Sequence, residues 1–307
     1  MHTPGAQPAA KPFVIFRKVV LAALTLGLAS CVSLPAELED KKPNRQEKNK
    51  THLMENGFCL ECDLKGADLI KAKLRSYDFR KSDLRGANLE GADLQYANLQ
   101  DTDLRAANLQ FAVLIHANLR RADLRSAYFN TTWFDHANLE GANLEGVKIW
   151  RATFSNTKLQ SANLRGAHLQ WANFYRADMR NSVLYNAKLQ SADFQYANLE
   201  NANLSEAQLS KAFMDRTNLQ GANLEASNLT EVYLTSSNLR GANLRNSLLT
   251  SANLRGADLT GADLTNALLN NADLTNANLK NADLTGVSLT GTILTGANLQ
   301  GTNLMRL

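Results

Sequence analysis

Every fifth residue from Leu64 to Leu304 is Leu, Phe, Met or Ile, in an unbroken series of 49 positions. Two residues before each of them stands a small residue, most often Ala, as in Ala67-Asp68-Leu69, and Tyr77 is the one large exception. The chain therefore repeats the unit A-(D/N)-L-x-x in tandem. A period this short and this regular restricts the fold more than composition does.

A five-residue period fits neither an ordinary helix nor a straight strand. On an α-helix, residues five apart are rotated by about 140°, so the Leu side chains would spiral around the whole cylinder. On a straight strand Ala67 and Leu69 share a face, but Ala72 points the other way. We therefore expect each A-x-L triplet to be a short strand, with a two-residue corner after it and with Ala and Leu directed to one axis.

Glycine supports this assignment of the corners. It is frequent at the second corner position, where its tolerance of positive φ suits a tight turn. The glycines at this position include Gly66, Gly86, Gly91, Gly141, Gly166, Gly241 and Gly296.

The A-(D/N)-L-x-x pattern resembles the pentapeptide repeat proteins, from about Cys59 to the C-terminus. The resemblance implies an all-β fold, a right-handed quadrilateral β-helix with four pentapeptides in each coil. On this basis residues 58–307 form one solenoid of roughly twelve coils, each contacting only its neighbours.

The first residues have a different composition. Lys11, Arg17 and Lys18 precede an apolar run, residues 19–29, that is too short to span a bilayer stably. The run ends in Leu28-Ala29-Ser30-Cys31, which looks like a bacterial lipobox. We predict a signal peptide over residues 1–30 and lipidation of Cys31, which would place the protein in the bacterial envelope, periplasmic and anchored to a membrane. An ordinary cleaved signal and an uncleaved anchor are the alternatives.

Residues 31–57 are charged and free of repeats, and we expect a tether with a short helix near residues 52–56 covering the first coil. Cys59 and Cys62 follow in the repeat phase, and both should point inward. In an oxidising compartment this favours a disulfide. Unpaired buried thiols and a metal or redox site are the alternatives, although no further metal ligands are in phase.

Outward residues sort by number modulo 20 onto four faces, which we name after Leu64, Leu69, Leu74 and Phe79. Ten aromatic residues lie on the Leu69 and Leu74 faces, which share an edge, whereas Tyr185 lies on the Leu64 face. Aromatic clusters on a polar surface often mark recognition sites. That aromatic residues simply suit β surfaces is the alternative. The ten residues, called the aromatic surface below, are Tyr96, Phe111, Tyr128, Trp133, Trp150, Trp171, Tyr175, Tyr196, Phe213 and Tyr233.

No catalytic motif is present, and the unbroken register has no insertion from which to build a pocket. We therefore expect no enzyme and no cofactor. His116 and His136 differ by 20 and should stack on adjacent coils; solvated histidines are the more common explanation of such a pair than a metal site.

The activity best known in the resembled family, DNA mimicry toward gyrase, needs an acidic surface. Residues 58–307 carry 25 Lys and Arg against 24 Asp and Glu, so this requirement is not met. We expect no nucleic-acid partner, and a DNA-mimic gyrase modulator is the least favoured alternative. The leading hypothesis is a recognition or scaffold protein that binds a protein partner through the aromatic surface. An envelope glycan is the alternative ligand. At the C-terminal end we expect either a homodimer or a small lid formed by Met305 and Leu307.

Overall fold

The computed structural model describes residues 44–304, with the backbone alone for Trp150. In this range it contains one helix, α1 (Arg45–Asn56), and two three-residue strands, β1 (Tyr128–Asn130) and β2 (Lys148–Trp150). Tight turns and isolated parallel bridges make up most of the remainder. Within residues 44–304 no helix is long and apolar enough to cross a membrane. The predicted signal peptide and Cys31 lie outside the described residues.

The backbone pairs with itself in steps of 20 residues. Parallel bridges run from Phe58↔Asp78 to Asn278↔Asn298. Each bridge consists of two hydrogen bonds between adjacent coils: the Leu69 N–H donates to the Asn88 carbonyl at 2.8 Å, and the Asn88 N–H donates to the Ala67 carbonyl at 2.9 Å. Only the middle residue of most A-x-L triplets forms a bridge, so the strands are shorter than the sequence predicts. The architecture is a β-helix.

The corners are β-turns with a left-handed residue. The Ala72 N–H donates to the Leu69 carbonyl at 3.1 Å, which closes a four-residue turn. The second of the two corner residues has a positive φ in every repeat from Glu61 to Gly301, whether or not it is a glycine. The predicted need for positive φ is confirmed, and the fold imposes it even on Trp171, at 58°.

The middle residue explains the Asp or Asn of the repeat. Its side-chain oxygen accepts a hydrogen bond from the N–H two residues later, as in Gln100 N–H to Asn98 Oδ1 at 3.3 Å. The same oxygen accepts from the next coil, where Asn118 Nδ2 lies 3.0 Å away. One side chain thus stabilises its own turn and the contact between coils.

The repeated Leu and Ala side chains form the core, as predicted. Leu74, Ala92 and Leu264 are fully buried. One inner column of the Leu74 face holds aromatic rings, which stack with centroids 4.9 Å apart in three successive pairs. The stacked residues are Phe134, Phe154, Phe174 and Phe194.

Helix α1 precedes the first coil and is longer than expected. Asn44 and Glu47 form a capping box, with each side chain accepting from the other residue's N–H at 2.8–2.9 Å. The helix ends at Gly57, whose φ is 74°. Leu53 is fully buried in the same core as Leu64, so the helix covers the apolar start of the β-helix.

Candidate functional site: an aromatic and basic surface

The aromatic surface is exposed along much of its length. Tyr128 and Trp171 are the most exposed of its described side chains, at 60% and 57%. Tyr175 is half-buried. Trp150 was also predicted here, but its side chain lies outside the described part of the chain. The other exposed members are Tyr96, Phe111, Trp133, Tyr196, Phe213 and Tyr233.

Several of these rings pack against neighbours one coil away. Tyr96 stacks on His116, with ring centroids 4.8 Å apart, and His116 stacks on His136 at 4.9 Å. Phe213 stacks on Tyr233 at 5.2 Å. These rings form preordered columns, because the 20-residue register fixes one ring above the next.

Arginine side chains lie over the tyrosines of the same surface. The Arg176 guanidinium lies 5.2 Å from the Tyr175 ring and 5.7 Å from the Tyr196 ring. Arg216 Nη1 also donates to the Tyr196 hydroxyl at 2.8 Å. The combination of flat rings and cations is suited to protein or sugar recognition.

A groove interrupts the surface, contrary to the expectation that an unbroken register builds no pocket. Its volume is about 1120 Å³. Its lining includes two aromatic residues, two cations and three polar residues. These are Tyr128, Trp171, Lys148, Arg151, Gln110, Asn130 and Thr131. None of the lining residues is acidic.

The groove lies where two coils depart from the regular corner. In strands β1 and β2 the extended backbone continues one residue beyond the core positions Phe129 and Ile149. In a regular corner, the N–H three residues after the core residue donates to the core residue's carbonyl, as the Ala112 N–H does to Leu109. Among the described backbone bonds, no such bond closes the turns after Phe129 and Ile149.

Ion pairs dominate the Leu64 face, in contrast. Arg105 pairs with Asp103 at 2.6 Å and lies 3.6 Å from Asp123 on the next coil. Asp83 accepts hydrogen bonds from the Arg85 guanidinium, which holds the pKa of that carboxyl below its usual value. The stacked carboxylates of this face are thus compensated by arginines of the same and the neighbouring coil.

At the N-terminal end, the structure joins Cys59 and Cys62 by a disulfide, with Cα atoms 5.5 Å apart. Cys59 is fully buried and Cys62 partly buried. No cluster of three or more metal-ligating side chains occurs in residues 44–304, and His116 and His136 face each other as stacked rings. The bond in the exported protein stays a prediction.

The groove was not predicted from the sequence, nor was the alignment of nearby cations in one column. Lys148, His168 and Lys188 differ by 20 and lie on adjacent coils. The same modulo-20 sorting that placed the aromatic residues would have found this basic column. The wider corners gave no comparable signal, because Phe129 and Ile149 keep the five-residue register.

The fold is a β-helical solenoid with ordered columns of side chains on its outer surface. The family model for pentapeptide repeats matches residues 55–86, 62–101, 78–110, 102–141, 187–225, 227–266 and 267–306. A second model, for a pentapeptide repeat region, matches residues 127–204. The chain belongs to the pentapeptide repeat family, whose members form right-handed β-helices.

Solved structures of the same family are similar to the chain. HetL, a protein involved in heterocyst differentiation regulation in the cyanobacterium Nostoc sp. strain PCC 7120, is 31% identical, with 74% of this chain and 90% of HetL covered and a TM-score of 0.43. A pentapeptide repeat protein of the Arabidopsis thaliana thylakoid lumen is 28% identical, with 42% of this chain and 72% of that protein covered and a TM-score of 0.18.

A trypsin-treated form of QnrB1, a plasmid-mediated fluoroquinolone resistance protein, is 21% identical. The match covers 55% of this chain and 91% of that structure, with a TM-score of 0.26. No curated protein matches the sequence significantly.

Proposed function

We propose that this protein is a non-enzymatic binding scaffold of the bacterial envelope. In this proposal a signal peptide directs export, lipidated Cys31 anchors the chain to a membrane, and a charged tether joins the anchor to a β-helix of about twelve coils. The aromatic surface then holds a protein partner outside the cytoplasm.

One observation carries the proposal. The exposed rings are concentrated on two adjoining faces, while the Leu64 face is covered by Arg–Asp pairs. Tyr128 and Trp171 are more than half exposed although both could be replaced by polar residues without loss to the core. Apolar side chains on one side of a polar protein indicate an interaction surface.

The scaffold role agrees with the family. Pentapeptide repeat proteins are generally structural or protein-binding, and the described residues hold no metal-ligating cluster. The near-neutral charge of residues 58–307 argues against substitution for DNA.

Proximity labelling from the full chain in cells tests the protein partner. The variant Trp133→Ser/Trp150→Ser/Trp171→Ser should lose the labelled partner and keep β circular dichroism and melting temperature nearly unchanged. Tyr185→Ser, on the Leu64 face, is the control and should retain capture. Equal labelling by the wild type, the Trp variant and Tyr185→Ser would reject the aromatic surface as the binding site. A large loss of stability in the Trp variant would mean that these side chains pack inward.

The anchor has a separate test. Replacing Cys31 with Ser should abolish lipid labelling and move the protein from the membrane to the soluble fraction, because the acyl chains supply the attachment. A wild-type chain that is soluble and carries no lipid label would contradict the lipoprotein assignment.

An envelope glycan is the second candidate ligand, and the groove favours it. Tyr128 and Trp171 offer flat faces beside Gln110 and Asn130, whose amides suit sugar hydroxyls. Binding of the purified protein to peptidoglycan and to soluble polysaccharide, compared with capture of a protein, separates the two candidates.

We also propose self-association at the C-terminal end. Leu289, Leu294 and Leu299 in the last described coil are only partly buried, whereas Leu269 one coil earlier is fully buried. Two copies that meet there would form a symmetric homodimer. Light scattering on residues 32–307 at tens of micromolar should show a dimer, and a monomer would favour a lid from Met305 and Leu307.

A further inference from the structure

Three cationic or titratable side chains form one column beside the groove. Lys148, His168 and Lys188 occupy bridged positions on successive coils, and the position before them is Tyr128. Lys148 and Lys188 are exposed, and His168 is half-buried. In residues 44–304 neither lysine forms an ion pair with a carboxylate.

The nearest acidic residue along the chain forms no ion pair with this column within residues 44–304. Glu145 lies three residues before Lys148, but its carboxylate accepts from Asn163 Nδ2 at 3.4 Å. The column is therefore a positive patch. It differs in this from most arginines of the β-helix, which pair with Asp or Glu.

His168 reports the sign of the local potential. Burial lowers the pKa of its imidazole, and the neighbouring Lys188 and Lys148 ammonium groups lower it further. No carboxylate opposes them. An anion that binds here would relieve the repulsion between these groups.

The groove continues the same pattern. Lys148 belongs to both the column and the groove, where Arg151 adds a second cation and Tyr128 and Trp171 add exposed rings. Cations and flat rings thus alternate over four adjacent coils, at the short repeat distance of the β-helix. This spacing suits a chain of rings that carries a negative charge at regular intervals.

We propose that the groove and the basic column bind a carboxylated polysaccharide, a chain of uronic acid units lying across successive coils. Sugar rings pack on Tyr128 and Trp171, and carboxylates pair with Lys148, Arg151 and Lys188. This inference rests on the second candidate function, glycan binding, and names the chemical class of that glycan.

An acidic peptide is the competing anion, and the structure favours the sugar. The backbone of these coils is already paired between neighbours, as in His168 N–H to the Val147 carbonyl at 2.8 Å, so a peptide gains no strand partner on this face. Every unit of a glycan has a ring that can pack on an aromatic side chain, whereas few residues of an acidic peptide have one.

Isothermal titration with the full chain in detergent tests the proposal. The probes are a defined oligogalacturonate, its fully methyl-esterified form, which has the same rings without charge, and polyglutamate. We expect the oligogalacturonate to bind at least about tenfold more tightly than either other probe, and more weakly as salt rises.

Two charge-matched variants locate the site. Lys148→Gln/Arg151→Gln/Lys188→Gln should weaken oligogalacturonate binding about tenfold or more, since charged hydrogen bonds are the strong ones. The control removes three exposed lysines outside the groove and should bind like the wild type. Its substitutions are Lys73→Gln, Lys158→Gln and Lys280→Gln.

Each other outcome has a definite meaning. Equal binding of the ester would leave glycan binding intact and reject the anionic class. Equal or tighter binding of polyglutamate would replace the sugar by an acidic peptide. No binding of any probe would reject the inference, while the glycan candidate itself would stand or fall by the separate test with peptidoglycan and soluble polysaccharide. Equal loss in both lysine variants would place the site elsewhere.

Discussion

The ring of Phe154 lies parallel to that of Phe134 one coil earlier, with centroids 4.9 Å apart and 3° between the planes. Phe174 stacks on its other side at the same separation. Phe154 is fully buried, so it packs against one ring on each side in the interior of the β-helix.

Replacing Phe154 with Ala should lower the free energy of unfolding by about 3–5 kcal/mol, because a large cavity would open between two fixed coils. Phe154→Leu is the matched control, since Leu114 and Leu234 occupy the same column in other coils. Its loss should be about 1–2 kcal/mol, including the lost stacking. Chemical denaturation monitored by circular dichroism gives both values, and similar losses would show that the column is not tightly packed.

Gly221 occupies a second corner with φ +64°, and a Cβ there would lie 2.5 Å from Asn201 Oδ1. Gly241 has φ +61°, and a Cβ there would meet nothing within 4 Å. Gly241→Ala should cost at most about 1 kcal/mol, because left-handed strain is partly offset by lower entropy of the unfolded chain. Gly221→Ala should cost more.

The excess should disappear when Asn201 is also changed to Ala. A double-mutant cycle over Gly221 and Asn201, measured by denaturant unfolding, isolates this contact from the strain of the backbone. Additive effects in the cycle would mean that the Asn201 side chain simply rotates away.

Acid should destabilise the protein in a defined window. The Arg85 hydrogen bond lowers the pKa of Asp83 in the folded state, so this interaction stabilises the fold above the unfolded value of about 3.9 and is lost as pH falls through the folded pKa. Melting temperature should be nearly flat from pH 7 to 5 and should fall below about pH 4.

Asp83→Asn tests the residue in this window. At pH 7 the variant should be less stable than the wild type by under about 1 kcal/mol, since the pair is solvent-exposed. Near pH 2 the difference should shrink, because the wild-type carboxyl is then protonated too. A constant difference across the range would assign the loss to packing instead of charge.

The disulfide between Cys59 and Cys62 should be found in protein recovered from the envelope. Non-reduced peptide mass spectrometry should show the linked pair, and reductant should lower the stability of the wild type by about 2 kcal/mol by loop entropy. Cys59→Ser/Cys62→Ser is the control and should not respond to reductant. Two free thiols in native material would reject the bond.

The five-residue period was sufficient to predict the inward columns and the left-handed corners, because both follow from where Leu and Ala must point. The 20-residue register came from the resemblance to pentapeptide repeat proteins, since the period alone does not fix how many corners make one coil. The start of α1 was also readable, since Asn44 and Glu47 have the spacing of a capping box, but the expected helix was shorter. The groove was not predictable in this way. It depends on whether the backbone after Phe129 and Ile149 turns or stays extended, a local choice that leaves the repeat unchanged.

The 20-residue register makes the surface more sensitive to chain length than the core. A deletion of five residues returns Leu to a Leu position and keeps an apolar residue at every inward position, yet it moves all later residues onto the next face. Such a deletion between Lys148 and His168 would separate the basic column while leaving a foldable chain. Only insertions and deletions in multiples of 20 preserve both the inward positions and the outward columns. Other multiples of five can therefore rearrange the outer surface in one step while every core position stays apolar.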